Sequence, residues 1–231
     1  AANYSLSNGL LQFARRCGYV GHITSFELPD DLEVQAFDEW PVDILDGLDQ
    51  YAPGGLRIAL VLSVADNNTA TAVLSNGERV VLPWSGIKWA KPFIDVETTG
   101  PAPENASDVL ARGDLIYVMP TARGGWALAR VPSAQGAVVS VDPYDGAILC
   151  LAGGFDFATS KFNRVTQAFR QPGSSFKPFI YSAALEQGNT PATVVNDAPV
   201  VSNSSELEAV WRPIKYSGRF YGPTRMREAL V

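Results

Sequence analysis

One histidine, two cysteines and two methionines are the whole stock of soft ligands in 231 residues. A structural or catalytic zinc site draws several such residues together, and a Ser-His-Asp triad would have to use His22. His22 follows Gly21 in a predicted loop, the ordinary setting of a solvent-exposed histidine. The sequence therefore calls for no metal and no cofactor. Cys17 and Cys150 are too few to mark a redox compartment. Cys150, in the apolar run 147–151, is expected as a buried free thiol. Charge is scarce too: Asp, Glu, Lys and Arg make up 18%, with a net charge of −6 and a pI near 4.8. An acidic surface repels phosphate backbones, which argues against nucleic acid as a partner. Long apolar runs are missing. The stretch Leu56–Ala65 contains Arg57 and is about half the length that a spanning helix needs. The chain opens on Ala-Ala-Asn-Tyr with no signal peptide and closes on the helix-like 226–231, so both ends read as cut from something longer.

What remains is the composition of a folded protein, with 46% hydrophobic residues. Leu6, Leu10, Leu11 and Phe13 recur near helical spacing and predict a helix over 3–16, stopped by Gly18. Residues 27–54 are mixed, and Asp30-Asp31 is a candidate helix start. From Leu56 the pattern becomes short strands: 57–64, 69–74 and 79–82, with Asn76-Gly77 as a hairpin turn. A connection follows at 84–93, then a Pro-, Gly- and Asn-rich segment at 98–108 that reads as an exposed loop. A second hairpin, 115–119 with 126–131, turns at Arg123-Gly124-Gly125. Three strands, a connection and two strands match a small five-stranded, OB-like barrel. After Gly136 two apolar strands, 137–141 and 147–151, flank Asp142-Pro-Tyr-Asp-Gly146.

The chemistry concentrates at Gln171-Pro-Gly-Ser-Ser-Phe-Lys-Pro-Phe179. Pro172-Gly173 breaks the chain, and a helix is predicted from Ser174 to about Gln187, with Gly188 as its stop and Phe176, Phe179, Ile180, Ala183 and Ala184 as its buried stripe. Ser174 and Lys177, three apart, share a helical face. A serine hydroxyl is a poor nucleophile until a base takes its proton. Lysine is such a base only as the neutral amine, a form favoured by burial and by the positive end of a helix. A positioned base is worth roughly 10²–10⁴ in rate. The Ser174 N–H, free at a helix start, can donate to an oxyanion. Pro178 has no N–H to give the Ser174 carbonyl, which predicts a distorted first turn at the nucleophile. Ser-x-x-Lys alone is weak, since about one match is expected by chance in a chain this long. Indeed Ser85-Gly-Ile-Lys88 is a second match, read as a loop serine and a surface lysine.

The flanks carry more. Asn163-Arg-Val-Thr-Gln-Ala-Phe-Arg-Gln-Pro-Gly-Ser-Ser-Phe-Lys-Pro-Phe179 resembles the first active-site segment of class A penicillin-binding proteins. Ser140-Val-Asp-Pro143 through Gly146-Ala-Ile148, Gly153-Gly154, Ala184-Leu-Glu-Gln-Gly188, Trp211-Arg-Pro213, Tyr221-Gly-Pro-Thr224 and Arg227-Glu-Ala-Leu230 extend the likeness. Residues 8–21 resemble the linker before that domain, and the strand-rich middle resembles the OB-like insert of the 1A type. The resemblance implies a mixed fold: a small all-β OB-like barrel followed by the N-terminal part of an α+β penicillin-binding transpeptidase domain. It implies three parts: a linker at 1–22, the insert at 23–134 and the transpeptidase start at 135–231.

It also implies a bifunctional cell-wall synthase on the periplasmic face of the bacterial inner membrane, with its anchor and a glycosyltransferase domain outside this chain. Ser174 would be the nucleophile and Lys177 its base in cross-linking D-Ala-D-Ala stem peptides of peptidoglycan. β-Lactam antibiotics would trap Ser174. An outer-membrane lipoprotein activator would dock on residues 23–134. The family's other two motifs, Ser-x-Asn and Lys-Thr/Ser-Gly, are absent from these residues, and Lys215 stands where the family more often has Asn. The chain alone is therefore expected to be inactive. Two other readings use the same residues: a serine β-lactamase or β-lactam sensor, and a non-catalytic docking module. Trp84, Trp89, Tyr117 and Trp126 are expected to pack a core rather than line a nucleic-acid groove. Trp211, Tyr216, Phe220 and Tyr221 are given no role.

Overall fold

The computed structural model describes residues 1–29, 34–199 and 218–230. They form two compact units, Ala1–Ala168 and Phe169–Val231.

The first unit opens with helix α1, Ala2–Arg16. Leu6, Leu10, Leu11 and Ala14 make its buried stripe, and Arg15 and Arg16 sit in its last turn, where cations suit the helix dipole. Gly18 ends it at φ 98°, and a Cβ there would come within 2.7 Å of the Lys91 carbonyl oxygen, so only glycine fits. The exit of α1 is clamped by cations on rings. The Arg15 guanidinium lies 5.0 Å from the Trp89 ring centre, and that of Arg130 lies 4.6 Å from Phe93. Arg130 is buried and donates to the Gly18 carbonyl at 2.7 Å.

Strand β1, Thr24–Ser25, and helix α2, Val42–Leu48, follow. The mixed reading of 27–54 overlooked α2, whose Ile44 and Leu48 are one turn apart and buried. Asp30-Asp31 lies outside the described residues. The sheet is built from β2, Arg57–Val64, β3, Ala70–Leu74, and β4, Arg79–Leu82, then helix α3, Trp84–Ile87, and strands β5, Asp114–Pro120, and β6, Trp126–Leu128. Neighbours run β1-β5-β2-β3-β4, all antiparallel, and β6 pairs with the far half of β5 on the edge it shares with β1. The sheet thus has one strand more than the five expected. The register Leu60↔Leu115 and Ala59↔Ile116 places alternate residues on opposite faces. Ile58, Leu60, Val73 and Leu115 face Ile44 and Leu48 of α2, with Trp40 beside them. Ala59, Val61, Ala72, Leu82, Ile116 and Val118 pack on the other side with Ile87 and Leu110. Burial on both faces is why β2 reads as one apolar run instead of alternating.

Trp84, Trp89 and Trp126 pack against that second cluster, as expected of core aromatics. The segment 98–108 is the mostly exposed loop expected, with one anchored point. It contains a 3-10 turn, Ala106–Asp108, closed by an Asn105–Asp108 capping box. Ala106 is fully buried, with its N–H bonded to the Asn68 side chain at 2.8 Å.

Strands β7, Val138–Val141, and β8, Ile148–Ala152, form a separate antiparallel pair whose outer residues are exposed, including Val139 and Leu149. Cys150 is half-buried rather than buried, and both cysteines are free thiols. The second unit holds a 3-10 turn, Gly173–Phe176, then helix α4, Lys177–Glu186, the antiparallel strands β9, Val194–Asp197, and β10, Gly222–Arg225, and helix α5, Met226–Leu230. The stripe predicted for α4 is not buried: Phe179 and Ile180 are 67% and 56% exposed, and Phe176 and Ala183 are exposed as well. Only Ala184 of the five is half-buried. Apolar residues are spread around the helix with no single apolar face, and none of its residues is buried. Among the described residues no helix is long and apolar enough to cross a membrane.

Candidate active site

Ser174 lies in the 3-10 turn and Lys177 is the first residue of α4. The junction follows from Pro178. In an α-helix the N–H of residue 178 would bond the Ser174 carbonyl, and proline has none. The Lys177 N–H takes that carbonyl instead, tightening the turn to 3-10 geometry at the serine. Pro178 then sits in the first α-helical turn, where its missing N–H costs nothing. The expected helix from Ser174 is therefore a tight turn followed by a helix that begins three residues later.

Ser174 is exposed and Lys177 half-buried. The Phe176 and Phe179 rings, with centres 5.6 Å apart, lie beside them in sequence. The Lys177 Nζ makes a long contact, 3.5 Å, with the Leu230 carbonyl of α5 and, among the described residues, none with Ser174 Oγ. Helix α5 is held in its own right: the Met226 N–H donates to the Thr193 carbonyl at 2.9 Å, and the Met226 side chain is buried. The structure therefore brings the carbonyl end of α5 to the amine.

The second Ser-x-x-Lys behaves as expected of a surface turn: Ser85 and Lys88 are both exposed around α3. His22 is exposed and stands 3.4 Å from the buried Asp114 carboxylate. Tyr221 is exposed, and its N–H donates to Asp197 at 3.0 Å. Trp211, Lys215 and Tyr216 lie outside the described residues. Among the described residues no group of three metal-ligating side chains comes together.

Sequence reasoning overlooked one polar cluster. The Asp156 carboxylate accepts hydrogen bonds from the Tyr51 hydroxyl and the Gly54 N–H, residues far away in sequence.

Comparison with known proteins bears directly on this arrangement. Residues 19–134 match the penicillin-binding protein OB-like domain, and residues 136–231 match the penicillin binding protein transpeptidase domain. The chain belongs to the penicillin-binding protein family. Penicillin-binding protein 1A of Pseudomonas aeruginosa is 43% identical over 230 residues, covering 100% of this chain and 27% of that protein. Penicillin-binding protein 1A of Escherichia coli is 38% identical, covering 100% of this chain and 26% of its own length. The crystal structure of penicillin-binding protein 1A from Haemophilus influenzae superposes with a TM-score of 0.69 at 30% identity, over 98% of this chain and 31% of that one. The chain thus spans about a quarter of the length of the curated relatives it matches. It comprises an OB-like domain and the opening part of a penicillin-binding transpeptidase domain of the 1A kind.

Proposed function

We propose that this chain is part of a peptidoglycan D,D-transpeptidase that works through a serine acyl-enzyme. The observation that carries the reading is the placement of Ser174 and Lys177 across the 3-10-to-α junction, inside the segment matched by the transpeptidase domain. Ser174 Oγ attacks the carbonyl carbon of the penultimate D-alanine, and its proton passes to Lys177. The amide bond to the terminal D-alanine breaks, and that residue leaves as a free amine carrying the proton. An amine from a second stem peptide then attacks the Ser174 ester, forms the new amide and restores the hydroxyl. A β-lactam presents a similar carbonyl and leaves Ser174 acylated.

In this reading residues 1–22 are a linker, 23–134 the OB-like insert and 135–231 the start of the transpeptidase domain. The parent is a cell-wall synthase held at the periplasmic face of the inner membrane, with a glycosyltransferase domain elsewhere in its chain. Residues 23–134 are its docking surface for an outer-membrane lipoprotein activator, a role consistent with exposed Val42, Val81 and Ile94.

The test is product analysis. A protein carrying these residues together with a complete transpeptidase domain is given peptidoglycan oligomers with pentapeptide stems. Cross-linked dimers with loss of D-alanine are expected. Trimmed stems without cross-links would instead favour a hydrolase.

A further inference from the structure

The OB-like domain leaves the rest of the chain at Tyr19 and rejoins it near residue 134. The two crossings touch. The buried Arg130 guanidinium donates to the Gly18 carbonyl at 2.7 Å and lies over the Phe93 ring. The Tyr19 N–H donates to the Lys91 carbonyl at 2.7 Å, and the Phe93 N–H donates to the Tyr19 carbonyl at 2.9 Å. A domain joined to its neighbour by two adjacent crossings has a single pivot, and swinging about such a pivot is the ordinary behaviour of inserted domains.

A second set of contacts reaches away from that pivot. Tyr51, Gly54 and Leu56 precede β2, the strand that pairs with both β3 and β5 in the OB-like sheet. Phe155 and Asp156 follow β8. Asp156 Oδ2 accepts the Tyr51 hydroxyl at 2.7 Å and the Gly54 N–H at 3.0 Å. Its Oδ1 accepts the Thr159 N–H at 3.0 Å, which aims the carboxylate from its own side. The Phe155 ring fills the space where a Cβ on Gly54 would fall, and Gly54 sits at φ 67°, so the position excludes larger residues twice over. Phe155 is buried with Leu56 and Ala129 of the OB-like domain and with Leu6 and Leu10 of α1. The Ser7 hydroxyl of α1 donates to the Phe155 carbonyl at 3.4 Å. Ser7 and Arg16 are nine residues apart, about 14 Å along the helix axis. The seam therefore starts beside the pivot, at Ala129, and ends well away from it, at Tyr51.

We propose that this chain carries a pivot and a latch: the OB-like domain turns at Gly18 and Arg130, and Tyr51, Gly54, Phe155 and Asp156 lock it against α1 and strands β7 and β8. The lock is directional. A hydroxyl and a backbone N–H converge on one charged oxygen, which fixes orientation as well as distance. It is also releasable. Tyr51 is 59% exposed, so water can take its place on Asp156 without entering the core. Loss of the latch leaves the pivot intact and frees the domain to swing.

The experiment uses a protein that contains these residues and a complete transpeptidase domain. Spin-labelled non-natural residues are placed at Val81 on β4 and at Tyr144 in the turn between β7 and β8, both exposed, which leaves the native cysteines untouched. Pulsed electron resonance then reads the distribution of distances between them. The unaltered protein is expected to give one narrow distribution. Asp156→Ala is expected to broaden it, and Tyr51→Phe, which removes a single exposed hydroxyl without threatening the core, is expected to broaden it in the same sense. Leu60→Ala weakens the OB-like core without touching the latch and is expected to keep the narrow distribution in the folded fraction. Unchanged widths in both Asp156→Ala and Tyr51→Phe overturn the proposal, as does a broad distribution in the unaltered protein or equal broadening in Leu60→Ala. If Asp156→Ala does not fold, Tyr51→Phe alone decides.

Discussion

Pro178 shapes the nucleophile's surroundings without touching its chemistry. By withholding an N–H from the Ser174 carbonyl, it forces the 3-10 turn that carries the serine and lets α4 begin at Lys177. In the proposed mechanism Lys177 is the base, and replacing it would remove the proton acceptor while leaving the hydroxyl. In a protein with a complete transpeptidase domain, Lys177→Ala is expected to slow acylation by penicillin about 10²–10⁴-fold, read as the rate of adduct formation under saturating drug. At this scale the sequence was informative where a residue's covalent chemistry decides the outcome, as at Pro178 and the Ser174–Lys177 spacing. It was silent at Asp156, because that carboxylate's partners, Tyr51 and Gly54, come from a segment whose proximity only the folded chain creates.

Among the elements, β2 carries the OB-like domain's stability. Leu60 is fully buried between β2 and the α2 side of the sheet, whereas Val81 on β4 is 53% exposed. Leu60→Ala is expected to cost about 2–5 kcal/mol, and Val81→Thr about 0.5 kcal/mol or less, both read by denaturant unfolding. Strands β2 to β5 were legible to within a residue or two, since β-branched runs and the Asn76-Gly77 turn are local signals, whereas the two-residue β1 was not expected and β6 ends at Leu128 instead of residue 131. Helix α2 was not legible, because its single buried turn is too short to show a period. The α4 stripe failed for the opposite reason: its apolar residues are spread around the helix, so periodicity could not say which side would be covered.

The connection after β8 also has a pH signature. Burial pushes the Asp156 carboxyl up, but hydrogen bonds from the Gly54 N–H, the Tyr51 hydroxyl and the N–H groups of Thr159 and Ala158 outweigh it and hold the group below its ordinary 3.8. A carboxyl held low when folded adds stability that is complete above its unfolded value and is lost as pH falls through the lower folded value. Thermal midpoints are therefore expected to fall on acidification below about pH 4, and Asp156→Asn is expected to flatten part of that fall.

At the scale of the molecule, Ala1–Ala168 is a folded unit with its own core, and Phe169–Val231 carries Ser174 and the exposed apolar side chains of α4. The family's Ser-x-Asn and Lys-Thr/Ser-Gly motifs do not occur in these 231 residues. Without that second hydroxyl and the strand that supplies an oxyanion donor, the chain by itself is expected to give no turnover of a D-Ala-D-Ala thioester above a Ser174→Ala control. The central claim, that Ser174 is the acylated nucleophile, is tested most directly by intact-mass analysis. A protein bearing a complete transpeptidase domain is treated with penicillin, and its peptides are mapped beside a Ser174→Ala variant. A stable adduct on the Ser174 peptide, missing from the variant, is the predicted result. An unmodified Ser174 peptide, or an adduct on another residue, would contradict the claim.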